Sequence, residues 1–246
     1  MELRVLGLYP DQMNIYADRG NILFLQRRCE WRGIGFTYDG AGQGESVDPG
    51  AHDLFYIGGG QDRDQRAVAA DMVGTKRAAL AAAVDDGAVL LAVCGGYQLL
   101  GDSYQLGEET LPGLRLADLR TVREEGPRLI GNVAIETELG GEKRILAGFE
   151  NHGGRTYLGA GARPLGRVVK GHGHGNNGGD GLEGVWRDNM VGTYLHGPLL
   201  PKNAWLADHL IELALARRYG EKPDLEPLPD EFERAAHASA RAAAGV

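Results

Sequence analysis

Cysteine is scarce: Cys29 and Cys94 are the two thiols in 246 residues. In an unexported chain of this size they read as free thiols rather than a pair. Long apolar runs are missing too, and no stretch approaches the roughly 20 residues that a bilayer-spanning helix needs. The opening residues, MELRVLGLYPDQ, have neither a basic n-region nor the apolar h-region of a signal peptide. We therefore expect a cytoplasmic protein. Positive charge is in deficit: 26 basic against 34 acidic side chains give a net charge of −8. No basic stripe marks a nucleic-acid partner. Glycine follows no period of three, which excludes collagen, and apolar runs between the glycines argue against disorder.

Glycine itself is abundant, at 39 residues, about twice the usual share of roughly 7%. The 43% hydrophobic and 24% charged composition is ordinary for a globular protein. At ~150 residues per domain the length corresponds to about one and a half domains. Short apolar runs alternate with helical patterns in the first hundred residues. Leu3 to Leu8, Gly33 to Tyr38, Asp53 to Ile57 and Ala88 to Val93 read as strands. Asp18 to Trp31 and a long alanine-rich segment from Gln65 to Asp85 read as helices. This alternation predicts an α/β fold with a mostly parallel, doubly wound sheet flanked by helices. From Leu114 the pattern changes to runs that read as antiparallel strands: Arg115 to Arg123, Leu129 to Thr137, Ile145 to Glu150 and Pro164 to Val169. They would pack on or extend the sheet. Asn189 to Tyr194 is a further strand, and a closing helix over Asn203 to Arg218 turns Leu206, Leu210 and Leu213 inward. We place one domain at 1–218 and a tail at 219–246, either a docking helix or disordered.

The sharpest chemical feature is Ala92-Val93-Cys94-Gly95-Gly96-Tyr97-Gln98-Leu99-Leu100-Gly101. A buried strand enters a cysteine, two glycines and a helical pattern, the order a nucleophile elbow requires. Ala92 and Gly96 are small, as the tight turn demands two positions to each side. A helix N-terminus aimed at Cys94 would favour the thiolate; the competing reading is a core cysteine at a strand end. Cys29 lies on the apolar face of a helix and reads as structural. A thiol nucleophile needs a base, and His196 follows directly on a strand. His152, His172 and His174 lie in glycine-rich stretches, while His52, His209 and His237 read as structural or exposed. His172-Gly-His174 lacks a nearby ligand set, so a mobile surface loop is preferred to a metal site. Gly58-Gly59-Gly60-Gln61-Asp62 follows a strand and precedes a helix. It could be a phosphate cradle, a flexible turn or, as we favour, an oxyanion hole complementing the Gly95 N–H.

Taken in order, the elbow, the glycine turn and Tyr194-Leu195-His196-Gly197-Pro198 resemble the class I glutamine amidotransferases, in the branch related to cobyric acid synthase. The resemblance covers about residues 1–218 and implies a flavodoxin-like arrangement. Asp18-Arg19-Gly20-Asn21-Ile22, Arg128-Leu129-Ile130-Gly131-Asn132, Phe149-Glu150-Asn151-His152-Gly153-Gly154-Arg155-Thr156 and Gly175-Asn176-Asn177-Gly178 sharpen it. These segments are similar to the glutaminase subunits of lipid II isoglutaminyl synthases.

The resemblance implies that Cys94 attacks the glutamine amide and that His196 protonates the departing ammonia. Gly59, Gly60 and Gly95 would hold the oxyanion. Arg128 falls in the glutamine-binding motif, where a fixed charge suits the α-carboxylate; Gln98 is a second substrate-binding candidate. The family usually has a glutamate two residues after the histidine; here it is Pro198. A Cys–His dyad is expected, with any third, acidic member supplied from elsewhere in the chain or by a partner. The partner implied is an ATP-dependent, Mur-ligase-like synthetase forming a heterodimer and amidating the D-glutamate of lipid II. This chain would carry no cofactor or metal, ATP and Mg belonging to the partner. Contact with lipid would be made through that partner at the inner face of the membrane. Two other readings are a glutaminase serving a different synthetase, such as a cobyric acid-type enzyme, and a non-catalytic α/β binding module.

Overall fold

The computed structural model describes residues 1–14, 19–169 and 173–246; the expected helix start at Asp18 lies outside them. β1 (Glu2–Leu8), α1 (Arg19–Glu30), β2 (Gly35–Ala41) and β3 (Leu54–Ile57) open the chain. α2 (Asp62–Asp71) runs through a π turn at Met72–Lys76 into α3 (Arg77–Asp85), and β4 (Val89–Val93) follows. All five residues of β4 and all four of β3 are buried, as expected of inner parallel strands covered on both faces. β2 is an edge strand, paired to β1 alone, and most of it is exposed.

The alanine-rich segment is not one continuous α-helix. Its π turn lies between Asp71 and Lys76, five residues apart, and the fully buried Lys76 ammonium meets the Asp71 carboxylate at 2.8 Å. Tyr9 donates to the same carboxylate at 2.7 Å.

After β4 the helical pattern amounts to a single turn, α4 (Gly95–Gln98). Next come β5 (Ser103–Leu106), β6 (Glu109–Pro112), β7 (Leu119–Arg123), β8 (Leu129–Thr137), β9 (Arg144–His152) and β10 (Gly154–Leu158). β11 (Gly166–Val168), β12 (Leu182–Glu183), β13 (Val185–Arg187) and β14 (Met190–Thr193) complete the strands. The central sheet has the order β13-β14-β4-β3-β1-β2, parallel except for β13. Strands β5 to β12 do not extend it; they form two sheets of their own, β10-β7-β5-β6 and β12-β11-β8-β9. The β5–β6 hairpin has no counterpart among the expected strands. In the first of these sheets β5 and β7 are parallel, against the antiparallel expectation.

α5 (Leu199–Lys202), α6 (Ala204–Tyr219) and α7 (Glu231–Ala244) close the chain. α6 buries Leu206, Ala207, Leu210, Ile211, Ala214 and Leu215, while Leu213 is only half-buried. The inner stripe is thus wider and rotated from the one expected, because α6 packs on α1 and on β1 and β4 together. α7 is docked: Asn132 on β8 donates to the Ala243 carbonyl at 3.2 Å and His237 donates to the Lys202 carbonyl at 2.8 Å.

Candidate active site

β4 delivers its last residue, Val93, into Cys94, whose φ of 50° and ψ of −102° are unusual for a residue with a side chain. Such a conformation costs on the order of 1–3 kcal/mol and persists only where the surroundings enforce it. The Cys94 N–H donates to the Thr193 carbonyl at 2.8 Å and the Gln98 N–H to the Cys94 carbonyl at 2.9 Å. The two glycines that follow are required by proximity. A Cβ on Gly96 would lie 2.6 Å from the Ile57 carbonyl oxygen, and one on Gly95 would lie 2.7 Å from the Gly60 nitrogen. The Gly96 N–H donates to the Gly58 carbonyl at 3.1 Å. The Gly58–Gly60 turn and the elbow are therefore packed backbone to backbone.

His196 reaches the same end of the sheet by a neighbouring strand. Thr193 of β14 pairs with Val93 of β4 in parallel register, so both chains leave the sheet together. An antiparallel bridge to Phe149 of β9 then holds His196, its N–H donating to the Phe149 carbonyl at 2.8 Å. The ring is almost wholly buried. Pro198, two residues on, caps α5 and packs against Gly20. A buried acid lies nearby. Glu183 accepts from the Tyr194 N–H at 2.6 Å and from the Thr193 hydroxyl at 3.1 Å. Burial pushes its carboxyl up to about 8, against the opposing pull of those two donors and the charge of His196.

A cavity of about 320 Å³ opens on the elbow, lined by Gly60, Gln61, Asp62, Arg63, Gln65, Cys94, Gln98, Tyr104, Arg128, His152 and Gly153. Four of the sequence candidates, Cys94, Gln98, Gly60 and Arg128, thus share one wall system. Gly95 and Gly59 lie at the elbow and within the glycine turn, and His196 is buried beside the lining rather than in it. Arg128 is steadied by Asn151: Nε donates to Oδ1 at 2.8 Å and Nη2 to the carbonyl at 2.7 Å. Gln98 has both ends of its amide engaged. It accepts from Gln65 at 2.9 Å and donates to the Tyr194 hydroxyl at 3.2 Å. A larger groove of about 820 Å³ beside β7, β10 and β13 carries arginines and Trp186 but neither cysteine nor histidine. Volume does not select the site; the thiol does.

His152 differs from its expected place in a glycine-rich loop. It ends β9 and is buried, with its ring stacked on Tyr194 at 3.5 Å and 6°. Nδ1 donates to the Gly154 carbonyl at 2.7 Å, and burial lowers the ring's basicity. The alternation of Phe149-Glu150-Asn151-His152 is the signal that could have placed it on a strand. Glu150 is fully buried and accepts the N–H groups of His174 (2.7 Å) and Gly175 (2.9 Å) and the His174 ring at 2.8 Å. From residue 173 onward the glycine-rich segment is therefore tethered to β9 rather than detached; His172 lies outside the described residues. Burial drives the Cys29 thiol up to about 12, so this cysteine is inert beside Cys94. Among the described residues, no group of three or more His, Cys, Asp or Glu side chains gathers as a metal site would require.

Residues 4–204 match the CobB/CobQ-like glutamine amidotransferase domain. The GatD subunit of lipid II isoglutaminyl synthase (glutamine-hydrolyzing) from Staphylococcus aureus strain N315 is 40% identical over 218 residues, covering 88% of this chain and 86% of that protein. The Streptococcus pneumoniae subunit of the same name is 38% identical, covering 93% of this chain and 86% of that one. Cobyric acid synthase of Rhodobacter capsulatus is 34% identical over 165 residues, 63% of this chain but 32% of that protein. In fold, the chain is similar to the glutaminase domain of Trypanosoma brucei CTPS with bound acivicin, at a TM-score of 0.53 and 11% identity over 91% of this chain and 96% of that one. The long relatives share an amidotransferase segment with this chain, and the GatD subunits share most of its length. The chain is therefore a glutamine amidotransferase of the CobB/CobQ-like family.

Proposed function

We propose that this chain is the glutamine-hydrolysing subunit of a lipid II isoglutaminyl synthase, releasing ammonia for a separate ATP-dependent subunit. The observation that carries the chemistry is Cys94, held at positive φ on the wall of a cavity that also presents the Arg128 guanidinium. The extent of similarity to the two GatD subunits supports the substrate assignment.

In this mechanism glutamine enters with its α-carboxylate on Arg128, whose planar fork suits a carboxylate. His196 accepts the Cys94 proton as Sγ attacks the side-chain amide carbon, and the carbonyl electron pair moves onto oxygen. Backbone N–H groups of Gly95 and of the Gly59–Gly60 turn receive that oxyanion, a contribution of roughly 3–4 kcal/mol per donor in comparable sites. Collapse of the tetrahedral species breaks the C–N bond, with His196 returning the proton to the leaving ammonia. Water then hydrolyses the γ-glutamyl thioester, freeing glutamate and the thiol. Gln98 forms part of the wall against which the substrate lies. Glu183 secures Thr193 and Tyr194 and so supports the strand end that carries His196.

The ammonia passes to a Mur-ligase-like partner that holds ATP and Mg and amidates the D-glutamate of lipid II. No helix among the described residues is long and apolar enough to cross a membrane. In this reading the partner contacts the lipid and both subunits work in the cytoplasm. Replacing Cys94 with Ala is expected to reduce glutamate release about a thousand-fold or more while leaving the fold intact. Unaltered turnover would refute the covalent route. Co-purification from the native cell should recover a Mur-ligase-like chain; recovery of another synthetase would redirect the ammonia but leave the glutaminase chemistry in place.

A further inference from the structure

Tyr194 is fully buried and follows directly on β14, two residues before His196. Its hydroxyl is the crossing point of a buried chain of hydrogen bonds that begins at the nucleophile elbow. Gln65 on α2 donates through Nε2 to the Gly95 carbonyl at 3.1 Å and to Gln98 Oε1 at 2.9 Å. Gln98 in turn donates through Nε2 to the Tyr194 hydroxyl at 3.2 Å. Tyr194 then meets Thr156 Oγ1 on β10 at 2.6 Å, and Thr156 meets Thr121 Oγ1 on β7 at 2.8 Å. The Gly95 carbonyl can only accept, so it orients both amides, and the Tyr194 oxygen receives Gln98. The Tyr194 proton is therefore directed to Thr156. Burial raises the phenol well above its ordinary range, against the pull of these hydrogen bonds, and a thiolate at Cys94 adds to the rise. That proton stays in place.

On the reading that Cys94 and His196 hydrolyse glutamine, we propose that Tyr194 is a positioning residue. Its hydroxyl locks the elbow to the strand end that carries the base, and so sets the approach of His196 to Cys94. Gln98 is the last residue of the elbow turn, with its N–H bonded to the Cys94 carbonyl at 2.9 Å. The backbone of Tyr194 is fixed from the other side by Glu183, which accepts its N–H at 2.6 Å. Strand pairing holds the two chains together only as far as Thr193, the last residue of β14 in register with β4. The side-chain bond continues that hold beyond the sheet. Without the hydroxyl, Gln98 Nε2 becomes a buried donor with no acceptor at that place. Its amide cannot turn over to compensate, because its nitrogen would then face the Gln65 nitrogen, also a donor. Relief comes only from movement of the elbow against the strand end.

The test is Tyr194→Phe, which removes the hydroxyl and keeps the ring stacked on His152 and edge-on to Tyr97. Two measurements are made on the full chain in complex with its synthetase subunit. One is glutamate release; the other is the pH midpoint for alkylation of Cys94 by iodoacetamide, followed on the Cys94 peptide by mass spectrometry. The second needs no turnover and reads how closely an imidazolium supports the thiolate. We expect kcat to fall by roughly 10–100-fold, the scale of a displacement of about 1 Å, with KM little altered. The alkylation midpoint should move to higher pH. A role in packing alone moves neither kcat per folded chain nor the midpoint, so a native value of either overturns the assignment. If Tyr194→Phe does not fold, Thr156→Ser and Thr156→Val carry the test. Serine keeps the hydroxyl that receives the Tyr194 proton and should retain both native values, whereas valine should lower kcat and raise the midpoint. Equal behaviour of the two overturns the assignment. A native complex that releases no glutamate refutes the glutaminase reading instead, while the midpoint still decides the role of Tyr194.

Discussion

At Cys94 one residue carries a backbone strain that the rest of the sheet enforces. Its positive φ is tolerated because β14 accepts its N–H and Gly95 and Gly96 allow the neighbouring backbones to close in. Glu183 is a second residue whose surroundings set its behaviour. Its carboxyl is pushed up to about 8, first by burial, against about 4.3 in an unfolded chain. As pH rises between those values the unfolded chain releases a proton that the folded chain retains, so stability falls with pH across this interval. Glu183→Gln removes that dependence. The variant's Tm, compared with that of the native chain, should gain steadily from pH 5 to pH 8; a constant difference would show that Glu183 ionises normally. Residues differ in how legible they are. Cys94 was legible because an elbow needs small residues at fixed offsets, all within one short segment. Gln65 and His152 were not, because their partners, Gly95, Gln98 and Tyr194, are remote in sequence and become neighbours only through strand pairing.

The element that departs most from its periodicity is the helix after the glycine turn. Alanine-rich sequence favours a continuous helix, yet a π turn interrupts it where Lys76 meets Asp71. Burial opposes ionisation of Asp71, but donors from Lys76, Tyr9, Thr75 and Gly44 outweigh it and hold the carboxyl well below its usual range. This depressed group contributes stability above the unfolded value of about 3.9, and that contribution is lost as pH falls toward the folded value. Asp71→Asn would leave the Lys76 ammonium buried without its counter-charge. We expect a loss of about 3–5 kcal/mol, read by denaturant unfolding at pH 7. A loss below 1 kcal/mol would show that the pair is dispensable. The pattern of apolar positions was sufficient for the central strands, whose burial on both faces leaves a continuous signal. It was insufficient for β5 and β6, which are four residues each and alternate weakly.

At the scale of the molecule the site is a meeting of three sheets. The central sheet supplies Cys94 and the approach of His196, β8 and β9 carry His152 and the backbone flanking Arg128, and β5 brings Tyr104 to the cavity. The chain beyond α6 braces this assembly. Arg28 on α1 is fully buried and bonded both to Asp208 on α6, at 2.5 Å, and to Asp230 at the start of α7, at 2.7 Å. Arg32 donates to the Glu226 carbonyl at 2.7 Å. α7 lies against α5, β8 and β9. A chain ending at Gly220 strips Arg28 of one carboxylate and uncovers that face. Its Tm should fall by roughly 5 °C or more in a thermal melt, and an unchanged Tm would mean the tail rests on the domain without supporting it.

The sequence by itself determined the strand–helix alternation, the elbow at Cys94, the glycine turn and the amidotransferase family, because each depends on residues close together or on strands buried on both faces. The tertiary structure decided the rest: two separate accessory sheets, the docking of α7, the placement of His152 on a strand, and the hydrogen bonds that tie the buried Gln65 to Gly95 and Gln98. Those features arise from pairings between distant segments, where no local spacing carries the information and the accommodation of buried polar groups selects the partner.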